Sequence, residues 1–150
     1  MKIAIASDHA GYHHKEGIKA YLVEMGYEVR DFGTHSDQSV DYPLFVRPAA
    51  EAVARGECDL GIVFGGSGNG EAIVANKVTG VRCAVVWNDA SARYARGHNN
   101  ANMIAIGQRL VTAEVAQSAV DTWLNATFEG GRHARRVRQI AAVEEAWCDQ

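Results

Sequence analysis

Glu71 stands directly behind four glycines. The segment Gly65-Gly66-Ser67-Gly68-Asn69-Gly70-Glu71 separates a short apolar run from a stretch with helical spacing. Backbone N–H groups in such a strand–loop–helix setting point at an anion. The segment is not a Walker A loop: the spacing of Gly65 and Gly70 fits, but Glu71-Ala72 occupies the place of Lys-Ser/Thr. It is not a dinucleotide fingerprint either, because Glu71 replaces the third glycine. A carboxylate at that spot repels a nucleotide triphosphate. It suits a small anion that forms transiently beside a base. A tight strand–helix turn also uses glycine for positive φ, but four glycines in six residues exceed what a turn needs.

Other candidates lie near the ends of apolar runs. Asp8-His9 follows the first run and reads either as an acid/base pair or as a helix cap with an exposed histidine. His98 sits in a polar Arg-Gly-His-Asn-Asn stretch, read as a loop, and suits acid/base work near neutral pH. His9 and His13 share i, i+4 spacing, a weak metal signature with no third ligand nearby. His14 and His35 read as solvated surface residues. Arg132, His133 and Arg136 form either a solvated helix face or a fork for a phosphate dianion.

Short β-like runs alternate with helical patterns along the chain. Strands are expected at Lys2–Ser7, Tyr27–Phe32, Leu60–Phe64, Val81–Trp87 and Met103–Ile106. Helices are expected at Tyr12–Met25, Leu44–Arg55, Glu71–Lys77, Ala90–Arg96 and Ala113–Asn125, the last capped by Thr112. Gly33–Pro43 is polar and turn-rich. Strands separated by helices mean parallel βαβ units. The expected fold is therefore α/β: one doubly wound, Rossmann-like domain over residues 1–150, with a parallel five-stranded sheet. A C-terminal amphipathic helix, Ala134–Trp147, carries Val137, Ile140, Val143 and Trp147 as one stripe. That stripe packs on its own domain or on a partner chain. In open α/β sheets ligands sit outside the carboxyl ends of the strands, where most of the candidates above fall.

Composition narrows the function classes. The chain has 150 residues, 47% apolar and 22% charged, with a net charge of −3. That is ordinary globular composition, with no global field for nucleic acid or an anionic membrane. Cys58, Cys83 and Cys148 form no CxxC pair, which argues against a zinc ribbon or a disulfide scaffold and fits a reducing compartment. The N-terminal apolar run is broken by Asp8 and His9 too soon for a signal peptide, and no run approaches a membrane span. The expected location is the cytoplasm. A phospho-acceptor signalling domain would need an aspartate at the carboxyl end of the third strand, but Asp59 lies at the opposite end.

Seven stretches together closely resemble the type B ribose-5-phosphate isomerases, within the wider family that includes bacterial galactose-6-phosphate isomerase subunits. They are Ser-Asp-His-Ala-Gly at 7–11, Asp-Tyr-Pro at 41–43 and Gly-Gly-Ser-Gly-Asn-Gly-Glu at 65–71, followed by Ala-Asn-Lys at 75–77, His-Asn-Asn at 98–100, Gly-Gln-Arg at 107–109 and Gly-Gly-Arg-His at 130–133. The resemblance implies a homodimer whose two subunits share active sites, with neither metal nor organic cofactor. It implies interconversion of D-ribose 5-phosphate and D-ribulose 5-phosphate through a cis-enediol. Relatives acting on tetrose, allose or galactose phosphates make another sugar phosphate the alternative.

The resemblance also implies roles. Glu71 is the base that moves a proton between C1 and C2, and Ser67 assists proton movement between the sugar oxygens. Gly66, Ser67, Gly68, Asn69 and Gly70 stabilise the enediolate. His98 is the acid that helps open the furanose, with Asp8 near the ring oxygens. His9, Arg109, Arg132 and Arg136 hold the phosphate, Asn99 the sugar, and Tyr42 lines the pocket. Many members carry a cysteine base where this chain has Gly65; the chain resembles the subgroup with a glutamate base.

Overall fold

The first apolar run forms a strand buried on both faces. Ile3 and Ile5 point to one side, Ala4 and Ala6 to the other, and all four are inaccessible to water. The computed structural model describes residues 1–148. Its strands are β1 (Lys2–Ser7), β2 (Glu28–Asp31), β3 (Leu60–Gly65), β4 (Cys83–Val85) and β5 (Met103–Gly107). Its helices are α1 (Tyr12–Glu24), α2 (Pro43–Ala54), α3 (Asn69–Asn76), α4 (Asp89–Asn99), α5 (Ala113–Asn125) and α6 (Arg132–Cys148). The strands pair in the order β2-β1-β3-β5-β4, all parallel. The expected Rossmann-like α/β sheet is the fold observed.

Two cores flank the sheet. Ile5, Ile62, Phe64, Ile104 and Ile106 pack with Ile18 and Leu22 of α1, Ala92 of α4 and Trp123 of α5. Ala6, Val63 and Ala105 pack with Val46 and Ala50 of α2 and Ala72 and Ala75 of α3. Trp123 is buried with its indole N–H satisfied by the Ala101 carbonyl at 3.2 Å. Among the described residues no helix is long and apolar enough to cross a membrane.

Several boundaries depart from the local pattern. β4 is three residues long rather than Val81–Trp87 because it is an edge strand. The Asn76 amide accepts from the Cys83 N–H and donates to its carbonyl, both at 2.8 Å, covering backbone that no further strand covers. α4 continues past the expected stop at Arg96 to Asn99 and ends at left-handed Asn100, φ 44°. His98 and Asn99 therefore lie in the last turn of a helix, not in a loop. α3 begins at Asn69, which makes Glu71 its third residue. α6 begins at Arg132, so both Arg132 and Arg136 are helical. Thr112 caps α5 as expected, accepting from the Val115 N–H.

The chain leaves β1 toward β2 on one side and returns to β3 on the other. The crevice between the carboxyl ends of β1 and β3 is thus the topological switch point, where ligands bind in such sheets.

Candidate active site

A cavity of about 760 Å³ opens at that crevice. Eight of the expected residues line it: Asp8, His9, Tyr42, Gly66, Ser67, Gly70, Glu71 and Arg109. Four segments deliver them. The end of the β2–α2 loop brings Tyr42, the β1–α1 loop brings Asp8 and His9, the β3–α3 loop with the first turn of α3 brings Gly66 to Glu71, and the β5–α5 loop brings Arg109. The last two are tied by backbone bonds from Gln108 N–H to the Gly65 carbonyl (2.8 Å) and from Arg109 N–H to the Gly66 carbonyl (3.0 Å).

Glu71 is 3% exposed and projects back over Gly65. A Cβ on Gly65 would overlap its carboxylate, so residue 65 must be glycine for Glu71 to sit there. Burial raises the Glu71 pKa above the ordinary carboxylate value, and the Asp8 charge raises it further, while a backbone hydrogen bond acts the other way. The helix terminus and burial pull in opposite directions, and burial prevails. Cys83 offers no rival base: burial, and then the Glu71 charge, push its thiol up to about 12.

Asp8 is buried and does two jobs. One carboxylate oxygen accepts from the Gly11 N–H at 3.0 Å, at the entry of α1, and the residue still lines the cavity. His9 is held by the Val40 N–H, which donates to its Nδ1 at 3.2 Å. A backbone N–H can only donate, so Nδ1 carries the lone pair and Nε2–H is the free donor. Arg109 lies over Gly66, whose added Cβ would stand 3.0 Å from its guanidinium. Tyr42 closes the opposite wall against Gly70, where a Cβ would stand 2.6 Å from the ring. Three glycines thus let three candidate side chains approach the loop closely.

Gly68 and Asn69 lie beside this cavity. Gly68, with φ 80°, is buried against the β5 backbone, and Asn69 lines a neighbouring depression with Ala72 and Asn76. His98, Asn99, Arg132 and Arg136 form no part of the cavity lining within this chain. They gather at the contact of α4 with α6. There the His98 and His133 rings stack, 4.1 Å apart and 11° from parallel. Glu129 reaches both, its two oxygens each 3.5 Å from an Nε2.

Among the described residues this trio is the one group close enough to hold a metal ion. Parallel rings, however, cannot both aim an in-plane lone pair at one ion without breaking the stack. His9 and His13 do not make a pair: α1 starts after His9, and His13 is exposed against Tyr12.

Two histidine expectations part ways. His35 is exposed as expected. His14 is not a solvated residue: its Nε2 bonds the Val111 carbonyl at 2.9 Å and its backbone N–H donates to Gln108 Oε1, bracing the β5–α5 loop.

Sequence reasoning missed Lys15, Glu129 and Val40. Lys15 is fully buried and bonded to Asp31 and Glu16. Its position on the Ile18 and Leu22 stripe of α1 was the available signal. The i, i+4 relation of Glu129 to His133 was the signal for the second.

A model of the ribose/galactose isomerase family matches residues 3–140. The chain is 47% identical to the ribose-5-phosphate isomerase B of Escherichia coli (strain K12) over 144 residues, 96% of this chain and 97% of that protein. It is 42% identical to the protein of the same name from Mycobacterium tuberculosis (strain H37Rv), over 96% of this chain and 90% of that one. The solved Clostridium thermocellum ribose-5-phosphate isomerase B superposes with a TM-score of 0.97 at 54% identity, covering 98% of this chain and 99% of the other. A Mycoplasma genitalium ribose-5-phosphate isomerase B, solved with ribulose-5-phosphate bound, gives 0.93 at 40% identity, over 96% of both chains.

Proposed function

Because the chain belongs to the ribose/galactose isomerase family, among its type B ribose-5-phosphate isomerases, we propose that Glu71 is the base with which it interconverts D-ribose 5-phosphate and D-ribulose 5-phosphate. The observation that carries this is the buried Glu71 carboxylate over Gly65, at the start of a helix and beside the glycine loop. The comparisons do not favour another sugar phosphate as substrate.

The reaction needs five things. The ring must open: an acid gives a proton to the ring oxygen as its bond to C1 breaks, while the C1 hydroxyl gives up its proton. His98 is assigned the first role and Asp8 the second. Glu71 then takes the proton from C2, and negative charge moves onto the C1 oxygen. Backbone N–H groups of Gly66 to Gly70 meet that oxyanion; one such donor contributes about 10²–10³-fold. Ser67 passes a proton between the two oxygens, and Glu71 returns its proton to C1. A positioned base supplies about 10²–10⁴-fold. His9 Nε2–H and Arg109 grip the phosphate, and that binding orients the reacting carbons.

His98, Asn99, Arg132 and Arg136 complete the site only if a second copy supplies them, and the proposal is a homodimer with shared sites. The form of α6 supports it. His133 is its buried residue, while Ile140, Val143 and Trp147 are exposed along it. An apolar stripe of this kind calls for a partner surface. Three free thiols suit a reducing, cytoplasmic setting.

The test is hydrogen exchange with Glu71→Gln, which keeps the shape but cannot accept a proton. The wild type should wash solvent deuterium into the sugar, and the variant should bind the sugar phosphate without exchange. Exchange at the wild-type rate would assign the base elsewhere, with His98 and Asp8 next in line.

A further inference from the structure

α6 is attached to its own chain at few points. Of its described residues His133 is the buried one, 7% exposed. The two residues that precede the helix, Gly130 and Gly131, both have positive φ, 68° and 55°. Such a joint permits many exit directions, so the direction taken depends on what α6 touches. It touches the last turn of α4, and farther along Glu144 accepts from the Gly80 N–H at 3.0 Å ahead of β4. The His133 ring lies flat on His98, and Tyr94, one turn earlier in α4, packs against the same His98 ring at 4.7 Å and 32°. The Glu129 N–H donates to the Gly97 carbonyl at 3.0 Å, and its carboxylate faces both imidazoles.

We infer that His133 is a positioning residue: its stacked ring sets the plane of His98 and, in the same contact, seats the helix that carries Arg132 and Arg136. This rests on the reading of His98 as the ring-opening acid. Burial lowers the His133 pKa, and His98, Arg132 and Arg136 lower it further against the pull of Glu129. A neutral ring stacks on His98 without adding charge beside the arginines. One side chain thereby couples acid placement to phosphate grip. His133 sits one residue after Arg132 and three before Arg136, so a change of its seat moves both.

The experiment separates ring opening from proton transfer. Ribose 5-phosphate must be opened before it reacts. Ribulose 5-phosphate, whose C5 oxygen is blocked, is already open-chain, and exchange of its C1 hydrogen with deuterated water needs no ring step. His133→Ala should lower kcat on ribose 5-phosphate by about tenfold or more, raise KM severalfold in both directions, and leave saturated C1 exchange within about threefold. His133→Phe, which restores a flat ring without a nitrogen, should return all three toward wild type. By NMR the His98 ring protons, shielded by the stacked ring, should move downfield in His133→Ala and less so in His133→Phe.

Equal loss of both reactions in His133→Ala would overturn the inference, as would an unmoved His98 resonance. So would a His133→Phe variant as poor as His133→Ala, which would place the importance in the His133 nitrogens. His98→Asn distinguishes the premise: if it opens and isomerises ribose 5-phosphate normally, the assignment of His98 fails whatever His133 does.

Discussion

The Glu71 carboxylate fills the volume that a side chain on Gly65 would need: a Cβ built there would overlap the carboxyl carbon and both oxygens. One glycine, six residues upstream, therefore decides whether the proposed base can occupy its place. A side chain at position 65 and the Glu71 carboxylate compete for the same space.

Gly65→Ala should cost activity without unfolding the protein. Residue 65 ends β3 and its φ is not positive, so alanine is tolerated by the backbone. The methyl group forces Glu71 aside, and kcat should fall by about 10²-fold or more, the lower bound for losing a positioned base. Steady-state kinetics with a thermal melt checks both halves. Unchanged kcat would show that Glu71 does not need this seat.

The acidic limb of kcat/KM should lie above the ordinary glutamate value of about 4.3, because burial and then Asp8 raise the Glu71 pKa. A base works ionised, so activity falls as pH drops through that raised pKa. Asp8→Asn removes a negative neighbour, lowers the pKa and should move the limb to lower pH, whatever it does to the maximal rate. A limb that stays in place would mean that another group titrates there.

At sugar-phosphate concentrations far below KM, where Glu71→Gln and Arg136→Ala are both severely impaired, mixing them should restore activity if the sites are shared. The two substitutions lie in different halves of the proposed site. Random reassortment of dimers would give half mixed pairs, each with one intact site, and so about a quarter of wild-type activity. No recovery after subunit exchange would place both residues in a site of a single chain. Arg136→Ala alone should weaken sugar-phosphate binding by about 1.5–3 kcal/mol, the scale of a charged hydrogen bond.

The Lys15–Asp31 pair should appear in acid unfolding. Lys15 is fully buried, and Asp31 accepts from it at 2.8 and 2.9 Å and from the Gly33 N–H at 2.9 Å. Burial opposes ionisation of Asp31, but hydrogen bonds from Lys15 and Lys19 and the Gly33 backbone hold its pKa below the usual value. A lowered folded-state pKa contributes stability that is present above the unfolded value of about 3.9 and is lost as pH falls through the folded one. Asp31→Asn should abolish that part of the acid dependence and cost about 3–5 kcal/mol at neutral pH by leaving Lys15 under-compensated. Urea melts at neutral and acid pH measure it. Equal stability of both proteins at neutral pH would mean that Glu16 alone suffices for Lys15.

The sequence by itself determined the order of elements and the half of the site that lies on consecutive loops. Apolar runs such as Leu60–Phe64 and stripes such as Ile18 and Leu22 are periodic signals that a chain cannot hide, and parallel βαβ winding carries the loops after β1, β3 and β5 to one end of the sheet. Asp8, His9, the glycine loop and Arg109 were legible for that reason. Tertiary structure decided the rest. Gly97 reads as a helix stop, yet α4 runs through it because its last turn is packed by Glu129 from 32 residues away. His98 thereby faces His133 and lies outside the cavity that holds Glu71. Lys15 can be buried as a charged side chain on the apolar stripe of α1 because Asp31 arrives from β2 to pair with it. The balance that raises the Glu71 pKa belongs to the same class. Periodicity is a property of neighbours in the chain, whereas desolvation and charge pairing depend on groups brought together through space, so only the folded molecule sets them.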